Sequence, residues 1–202
     1  KEELGRLSSY IEIDLCGDII GKQDQYAAAF GGLNFIEFNQ DDSVTINPVA
    51  CKFETITKME KSIIVYYTGL TRNASTLLKK QSDNMNQADK RDLMSNMVSL
   101  AYDMRGLLEN DDVESLGELM DENWRLKRQM AAGISNLQID SWYNKGIQAG
   151  ATGGKLLGAG NGGFMMFFAP KEKHAKITKA MKGIQRIPFS FDNDGSKIVF
   201  SD

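Results

Sequence analysis

Histidine, cysteine and proline are scarce in this chain: one, two and three residues among 202. The single histidine, His174, sits amid lysines in "PKEKHAKITKAMKG", which reads as a surface helix, and no catalytic role is assigned to it. Cys16 and Cys51 fit no metal or redox spacing and read as reduced thiols of a cytoplasmic protein. With so little proline, no Pro/Ser-rich linker marks a domain boundary, although a seam is expected near residues 57 to 61. No apolar run approaches the roughly 20 residues of a membrane helix, and no signal-peptide pattern opens the chain. Neither charge sign dominates: 24 Lys and Arg against 27 Asp and Glu leave a net charge of -3. That balance gives no electrostatic footprint for nucleic acid.

Glycine, by contrast, is concentrated. "ATGGKLLGAGNGGFMMFFA", residues 151 to 169, carries six glycines and runs straight into the most apolar segment of the chain. Glycine in an ordered element is costly, so such a cluster implies a loose surface turn or backbone amides brought close to an anion. Two known phosphate motifs are excluded. A Walker loop around Lys155 would need glycine at position 149 and Ser or Thr at 156, where Ala149 and Leu156 stand. The dinucleotide fingerprint follows a strand and opens a helix, whereas this loop is expected to follow a helix and open a strand.

Periodicity organises the rest. "KEELGRLSSYIEIDL" places Leu4, Leu7, Tyr10 or Ile11, and Leu15 on one helical face. "KQDQYAAAFGG" reads as a tight helix stopped by Gly31 and Gly32. "LNFIEF" and "SVTINPV" form an expected hairpin across "NQDD", and "SIIVYYTG" an expected buried strand. From Ser75 to Gln148 the pattern is helical, with Leu77, Leu78, Met85, Leu93, Met97, Leu100, Met104, Leu107 and Leu108 forming apolar stripes. After "FMMFFA" and the lysine-rich helix, "RIPFSF" and "KIVF" are expected to close as a hairpin over "DNDG". Strand, helices, strand, helix, strand, strand gives an α+β chain close to a split βαβ arrangement with inserted helices.

Two further stretches carry candidate chemistry. Asp24, in "IGKQDQYAAAFGG", is either a partner for a helix dipole or a general base with Lys22 nearby to steady charge. "YTGLTRNAS", residues 67 to 75, offers Thr71 and Arg72 at a strand tip. The guanidinium there either captures a phosphate or carboxylate or is simply solvated.

"IGKQDQYAAAFGGLNFIEF" resembles the aspartate-bearing segment of the GHMP small-molecule kinases. "KLLGAGNGGFMMFF" resembles the third motif of that family: a lysine, a short spacer and a glycine-rich loop leading into a strand. The two lie in the family's order over nearly the whole chain. The resemblance implies the end of an N-terminal α+β domain over residues 1–58 and a ferredoxin-like C-terminal domain with inserted helices over 59–202. It implies transfer of the γ-phosphoryl of ATP, with Mg2+, to the anomeric hydroxyl of a sugar phosphate, without nucleic-acid or membrane partners; a homodimer stays open. Under it, Asp24 becomes the base or orienting carboxylate, assisted by Lys22. Gly158, Gly160, Gly162 and Gly163 shape the loop beside the nucleotide phosphates. Arg72, with Thr71 and Gln25, is assigned to the substrate, Arg72 to its phosphate on chemical grounds. The family's main ATP loop and its magnesium-binding serine and glutamate are expected upstream of residue 1, where the chain opens without methionine inside an expected helix. The chain is thus expected to be a C-terminal portion that is inactive alone, with no metal site of its own. A neutral-sugar kinase acting on fucose or galactose, or a non-catalytic binding module of this fold, are the alternatives.

Overall fold

The structure is a computed structural model and describes residues 1–71 and 74–200. Contacts divide the chain into two units: Lys1–Ala50 together with Ser190–Asp202, and Cys51–Phe189. The division falls at Ala50, not after residue 58, because the helix that follows is tied forward. In α3 (Phe53–Ser62) and its cap, Lys52 and Thr55 hydrogen-bond Asp111, and Lys58 pairs with Glu114, all within the second unit.

The first unit is built on α1 (Glu2–Tyr10), a π-helical turn (Ile11–Leu15), α2 (Gln23–Phe30) and the hairpin of β1 (Asn34–Phe38) with β2 (Val44–Pro48). The expected helix forms, but its leucine stripe is not its packing face. Leu4, Leu7, Ile11 and Leu15 are exposed, and α1 turns Gly5 and Ser9 inward instead. The reason is distance. A Cβ at Gly5 would lie 2.7 Å from the Tyr26 ring, so only a glycine lets α2 approach this closely. Tyr26, itself buried, meets Phe38 of the hairpin edge-on, with ring centroids 6.4 Å apart.

The expected C-terminal hairpin does not form. Gln185–Ile187 becomes β6, and the "DNDG" turn closes on itself, Asp192 Oδ1 accepting from the amides of Asp194 and Gly195. The backbone beyond β6 meets a different need. The last carbonyls of a helix have no partner within it, and here Ser196 donates its amide to Ala28 O and its hydroxyl to the same oxygen, at 3.0 and 3.1 Å. Lys1 Nζ donates to Phe30 O, at 2.8 Å. Alternation in "RIPFSF" and "KIVF" is a local signal, and capping α2 outcompetes it.

The second unit is the expected split βαβ. Its sheet has the order β4-β5-β3-β6, entirely antiparallel, formed by β3 (Ile63–Tyr67), β4 (Gly153–Leu156), β5 (Phe164–Phe168) and β6. Between β3 and β4 run α4 (Ala74–Asn84), α5 (Ala88–Glu109), α6 (Leu116–Met130) and α7 (Leu137–Gln148); α8 (His174–Ala180) links β5 to β6. One sheet face is fully buried, with Ile64 opposite Phe167, and Tyr66 and Leu156 both opposite Met165. Against it pack Trp124, Ile139, Tyr143, Ile177 and Met181 from the helices. Helix α6 lies along the edge strand β4 and so covers its unpaired edge.

The strand β4 changes the setting of the glycine loop. It does not follow a helix; it joins two antiparallel neighbours, β4 and β5, at one end of the sheet. A strand beginning Gly153-Gly154 has almost no β-propensity of its own and forms because β5 is there to pair with it.

Replacing Gly5 by Val should push α1 off α2 and cost about 1–3 kcal/mol of stability through overpacking. Urea titration with α-helical signal as the readout checks this, and a midpoint unchanged from the native chain would contradict the close α1–α2 contact.

Candidate active site

The loop Leu157–Gly163 is held from three directions. At the strand end, Gly163 O accepts from the Thr68 amide at 2.9 Å and the Thr68 hydroxyl at 2.7 Å, while Gly163 N donates to Leu70 O at 3.0 Å. Thr68 is buried, and its hydroxyl also accepts from the Leu70 amide. At the start of α7, Asn136 does double duty. Its Oδ1 caps the helix by accepting from the amides of Gln138 and Ile139, and its Nδ2 donates to Asn161 Oδ1 at 2.8 Å. Asn161 N in turn donates to Ile134 O at 2.8 Å. From α6, Lys127 Nζ donates to Gly158 O, and from α4, Gln81 Nε2 donates to Ala159 O.

These contacts show what two of the glycines do. A Cβ at Gly162 would lie 2.3 Å from Leu70 O, and one at Gly160 2.8 Å from Ile134 O with φ at +117°. Both positions require glycine for close approach to backbone. The structural account of the cluster and the anion account therefore hold together. The packing leaves the amides of Gly158, Ala159, Gly160 and Gly162 without an acceptor among the described residues. Unused N–H groups in a turn of this kind are ready donors to phosphate oxygens.

The two motifs singled out in the sequence thus meet. The tip of β3 that leads to Thr71 is the same segment that clasps Gly162 and Gly163. Thr71 is exposed just beyond it. Arg72 lies outside the described residues.

The remaining candidates belong to the first unit. Asp24 sits exposed in the first turn of α2 and makes no side-chain hydrogen bond among the described residues. Lys22 donates to Asp42 Oδ1 at 3.2 Å, in the turn of the β1–β2 hairpin, rather than to Asp24. Lys22 and Asp42 line a cavity of about 480 Å3 with Ile13, Ile20 and Phe38. Gln25 departs most from its expected role. Its side chain is buried, and Nε2 is taken by Glu12 Oε2 at 2.5 Å. Its Oε1 is left without a partner in the described residues. The carboxamide points into the first unit, so a substrate contact is not what its geometry offers.

Lys155, the lysine of the glycine motif, is half-buried between β4 and α6. Among the described residues its ammonium finds only Asn123 Oδ1, at 3.4 Å, and no carboxylate. Desolvation by burial holds its pKa below the usual lysine value. Tyr143 lies deeper in the helical layer. Burial first, then its hydrogen bond to Asp121 and that carboxylate's charge, raise its phenol above the ordinary range. Beside it Arg128 stacks on the Trp124 and Tyr143 rings, at 5.8 and 5.9 Å, and pairs with Asp140 at 3.3 Å. Ser135 donates to the same carboxylate, so the turn that presents Ile134 and Asn136 to the loop is itself braced.

Among the described residues no group of three or more His, Cys, Asp or Glu side chains could hold a metal ion.

The split βαβ sheet with a β4–β5 glycine loop clasped by the β3 tip defines a class. Residues 104–183 match the model of the GHMP kinases C-terminal domain, and the chain contains a domain of that kind. It is 32% identical over 197 residues to the D-glycero-alpha-D-manno-heptose 7-phosphate kinase of Campylobacter jejuni, covering 96% of this chain and 58% of that protein. It is 30% identical over 179 residues to a bifunctional fucokinase/GDP-fucose pyrophosphorylase of Arabidopsis thaliana, covering 87% of this chain and 17% of that one. Among solved structures, a D-glycero-D-manno-heptose 1-phosphate kinase from Bacteriodes thetaiotaomicron superposes with a TM-score of 0.66 at 29% identity, over 97% of this chain and 55% of that one. The chain spans little more than half the length of the heptose kinases it matches.

The sequence singled out Thr68 as a hydroxyl at the strand tip, but not Gln81, Lys127 or Asn136. A polar residue one helical turn from an apolar stripe gives no sign that it will meet a distant loop. Lys155 also carried a signal, through its place in the motif.

Because the folded state depresses the pKa of Lys155, its burial costs stability at neutral pH. The cost is relieved as pH rises from the folded pKa toward the unfolded value near 10.4. Lys155→Met should therefore be more stable than the native chain at pH 7, with the difference shrinking as pH approaches 10. Thermal melts across that range check it, and a difference that grows with pH would reverse the sign.

Proposed function

We propose that this protein is an ATP-dependent sugar-phosphate kinase. It phosphorylates the anomeric hydroxyl of D-glycero-D-manno-heptose 7-phosphate and yields the 1,7-bisphosphate, on a route to GDP-heptose for surface polysaccharide. The observation that carries the reading is the run of unused amides at Gly158, Ala159 and Gly160, in a loop clasped by the β3 tip. The 32% identity with a heptose 7-phosphate kinase along 96% of the chain supports the substrate. So does the likeness of "GKQDQYAAAFGGLN", "YTGLTRNAS" and "GELMDENWRLKRQM" to that kinase.

In this reading Asp24 accepts the proton of the anomeric hydroxyl. The freed oxygen lone pair bonds to the γ-phosphorus as the bond from that phosphorus to the oxygen of ADP breaks. Phosphoryl transfer depends chiefly on positioning and charge stabilisation, so one carboxylate and well-aimed amides are the expected parts. The amides of the glycine loop hold the nucleotide phosphates. Arg72 and Thr71, following the β3 tip, take the phosphate of the sugar, and Lys22 steadies charge around Asp24. The proposed division of labour gives the first unit to the acceptor and the second, Cys51–Phe189, to the phosphate loop, in a cytoplasmic enzyme that uses magnesium. A kinase acting on a neutral sugar is the second reading, supported by the 30% identity with the fucokinase.

Release of ADP by the full-length protein, with Mg-ATP and heptose 7-phosphate, fucose, galactose or mevalonate in parallel, tests the substrate. Turnover with heptose 7-phosphate alone supports the reading, turnover with fucose moves the acceptor to a neutral sugar, and silence with all four overturns it. Asp24→Asn should lower kcat on the order of 100- to 10,000-fold. A fall below about threefold removes Asp24 from the chemistry.

A further inference from the structure

The glycine loop owes its shape at the strand end to backbone contacts, but at its tip to two side chains from different helices. Lys127 of α6 donates to Gly158 O at 2.5 Å. Gln81 of α4 donates to Ala159 O at 3.3 Å. These two carbonyls belong to successive peptide groups, Gly158–Ala159 and Ala159–Gly160.

A peptide group is planar and trans, so its C=O and N–H point in opposite directions across the same plane. Holding the Gly158 carbonyl toward Lys127 therefore turns the Ala159 N–H away from α6. Holding the Ala159 carbonyl toward Gln81 turns the Gly160 N–H away from α4. Neither amide has an acceptor among the described residues. At glycine positions the backbone can rotate a peptide plane at little steric cost, and Gly158 (φ +80°) has no heavy atom within 4 Å of where its Cβ would be. Without the two donors, no other hydrogen bond among the described residues holds these two carbonyls. Asn161 and Gly163, by contrast, are secured by Ile134 and Leu70.

We propose that Lys127 and Gln81 are positioning residues for the nucleotide-phosphate loop, which lock the Ala159 and Gly160 amides in their donor orientation through the carbonyls on the opposite side. This rests on the reading of the loop given above as the site of the nucleotide phosphates. The ligand class is the polyphosphate of a nucleotide. Lys127 touches none of it in this role and acts through a peptide plane, which separates it from a lysine that pairs with phosphate directly.

The test is amide 15N–1H spectroscopy of the full-length protein titrated with Mg-ADP, with Ala159 and Gly160 assigned, in the native protein and in Lys127→Met, Gln81→Leu and Lys127→Arg. Thermal melts establish that each variant is folded. The expected result is that both amides shift on ADP binding in the native protein. Lys127→Met should lose the Ala159 response and Gln81→Leu the Gly160 response, with the Kd for ADP rising on the order of tenfold. Lys127→Arg, which keeps a donor, should restore the Ala159 response. If native amides shift and both variants match them with Kd within twofold, the positioning role is overturned while the loop assignment stands. If the native Ala159 and Gly160 amides are indifferent to ADP, the loop assignment itself fails, and this inference with it.

Discussion

The tip of β3 is the constraint on which the second unit's functional end depends. Thr68 commits its amide and its hydroxyl to one carbonyl, that of Gly163, and Leu70 returns a carbonyl to the Gly163 amide. Each neutral hydrogen bond contributes only about 0.5–1.5 kcal/mol net, but a buried partner left unpaired costs more. Thr68 is buried, so the clasp is difficult to open one bond at a time. It also fixes a distance. With Gly162 against the Leu70 carbonyl, the loop cannot rise from the sheet end, and its free amides stay near the segment that continues into Thr71.

The sequence made the second unit largely legible. Helical stripes from Ser75 to Gln148, the buried strand at 63–67 and the glycine loop all lie where pattern and composition put them. What escaped was the strand β4, since "GGKL" has neither β-branched residues nor alternation. Its existence is a tertiary fact, written in the pairing of Gly154 with Phe167 and Leu156 with Met165. The leucines of α1 escaped in another way. Spacing of 3.6 residues states that a helix forms, not which of two faces a neighbour will choose, and Gly5 decided that by admitting the Tyr26 ring. The "KIVF" segment was misjudged because alternation is a local property while the open carbonyls of α2 are not.

Within the candidate site, the residue types proposed for the chemistry were visible and those that hold the loop were not. Asp24 and the glycines stand out by type and context. Gln25 beside Asp24 looked equally eligible, yet burial and the contact with Glu12 commit its nitrogen elsewhere. Lys127 and Gln81 lie 31 and 78 residues upstream of the carbonyls they bond, and nothing in either local pattern distinguishes them from solvated neighbours. The general lesson is one of range: local patterns encode elements, while a site is assembled from contacts the pattern never samples.

The discontinuity of the first unit carries a consequence for synthesis. Helix α2 is completed by the amide and hydroxyl of Ser196, yet 168 residues of chain separate Ser196 from Ala28. At roughly 5–20 residues per second on the ribosome, residues 1–50 wait on the order of ten to thirty seconds before their last partners are made. During that interval the open carbonyls of α2 and the exposed leucines of α1 are available to other chains. The second unit is continuous from Cys51 to Phe189; its β3 also waits for β5 and β6, but all of its partners are made before Ser196. Vectorial synthesis therefore favours folding of the later-encoded unit first, with the earlier-encoded one completed afterwards.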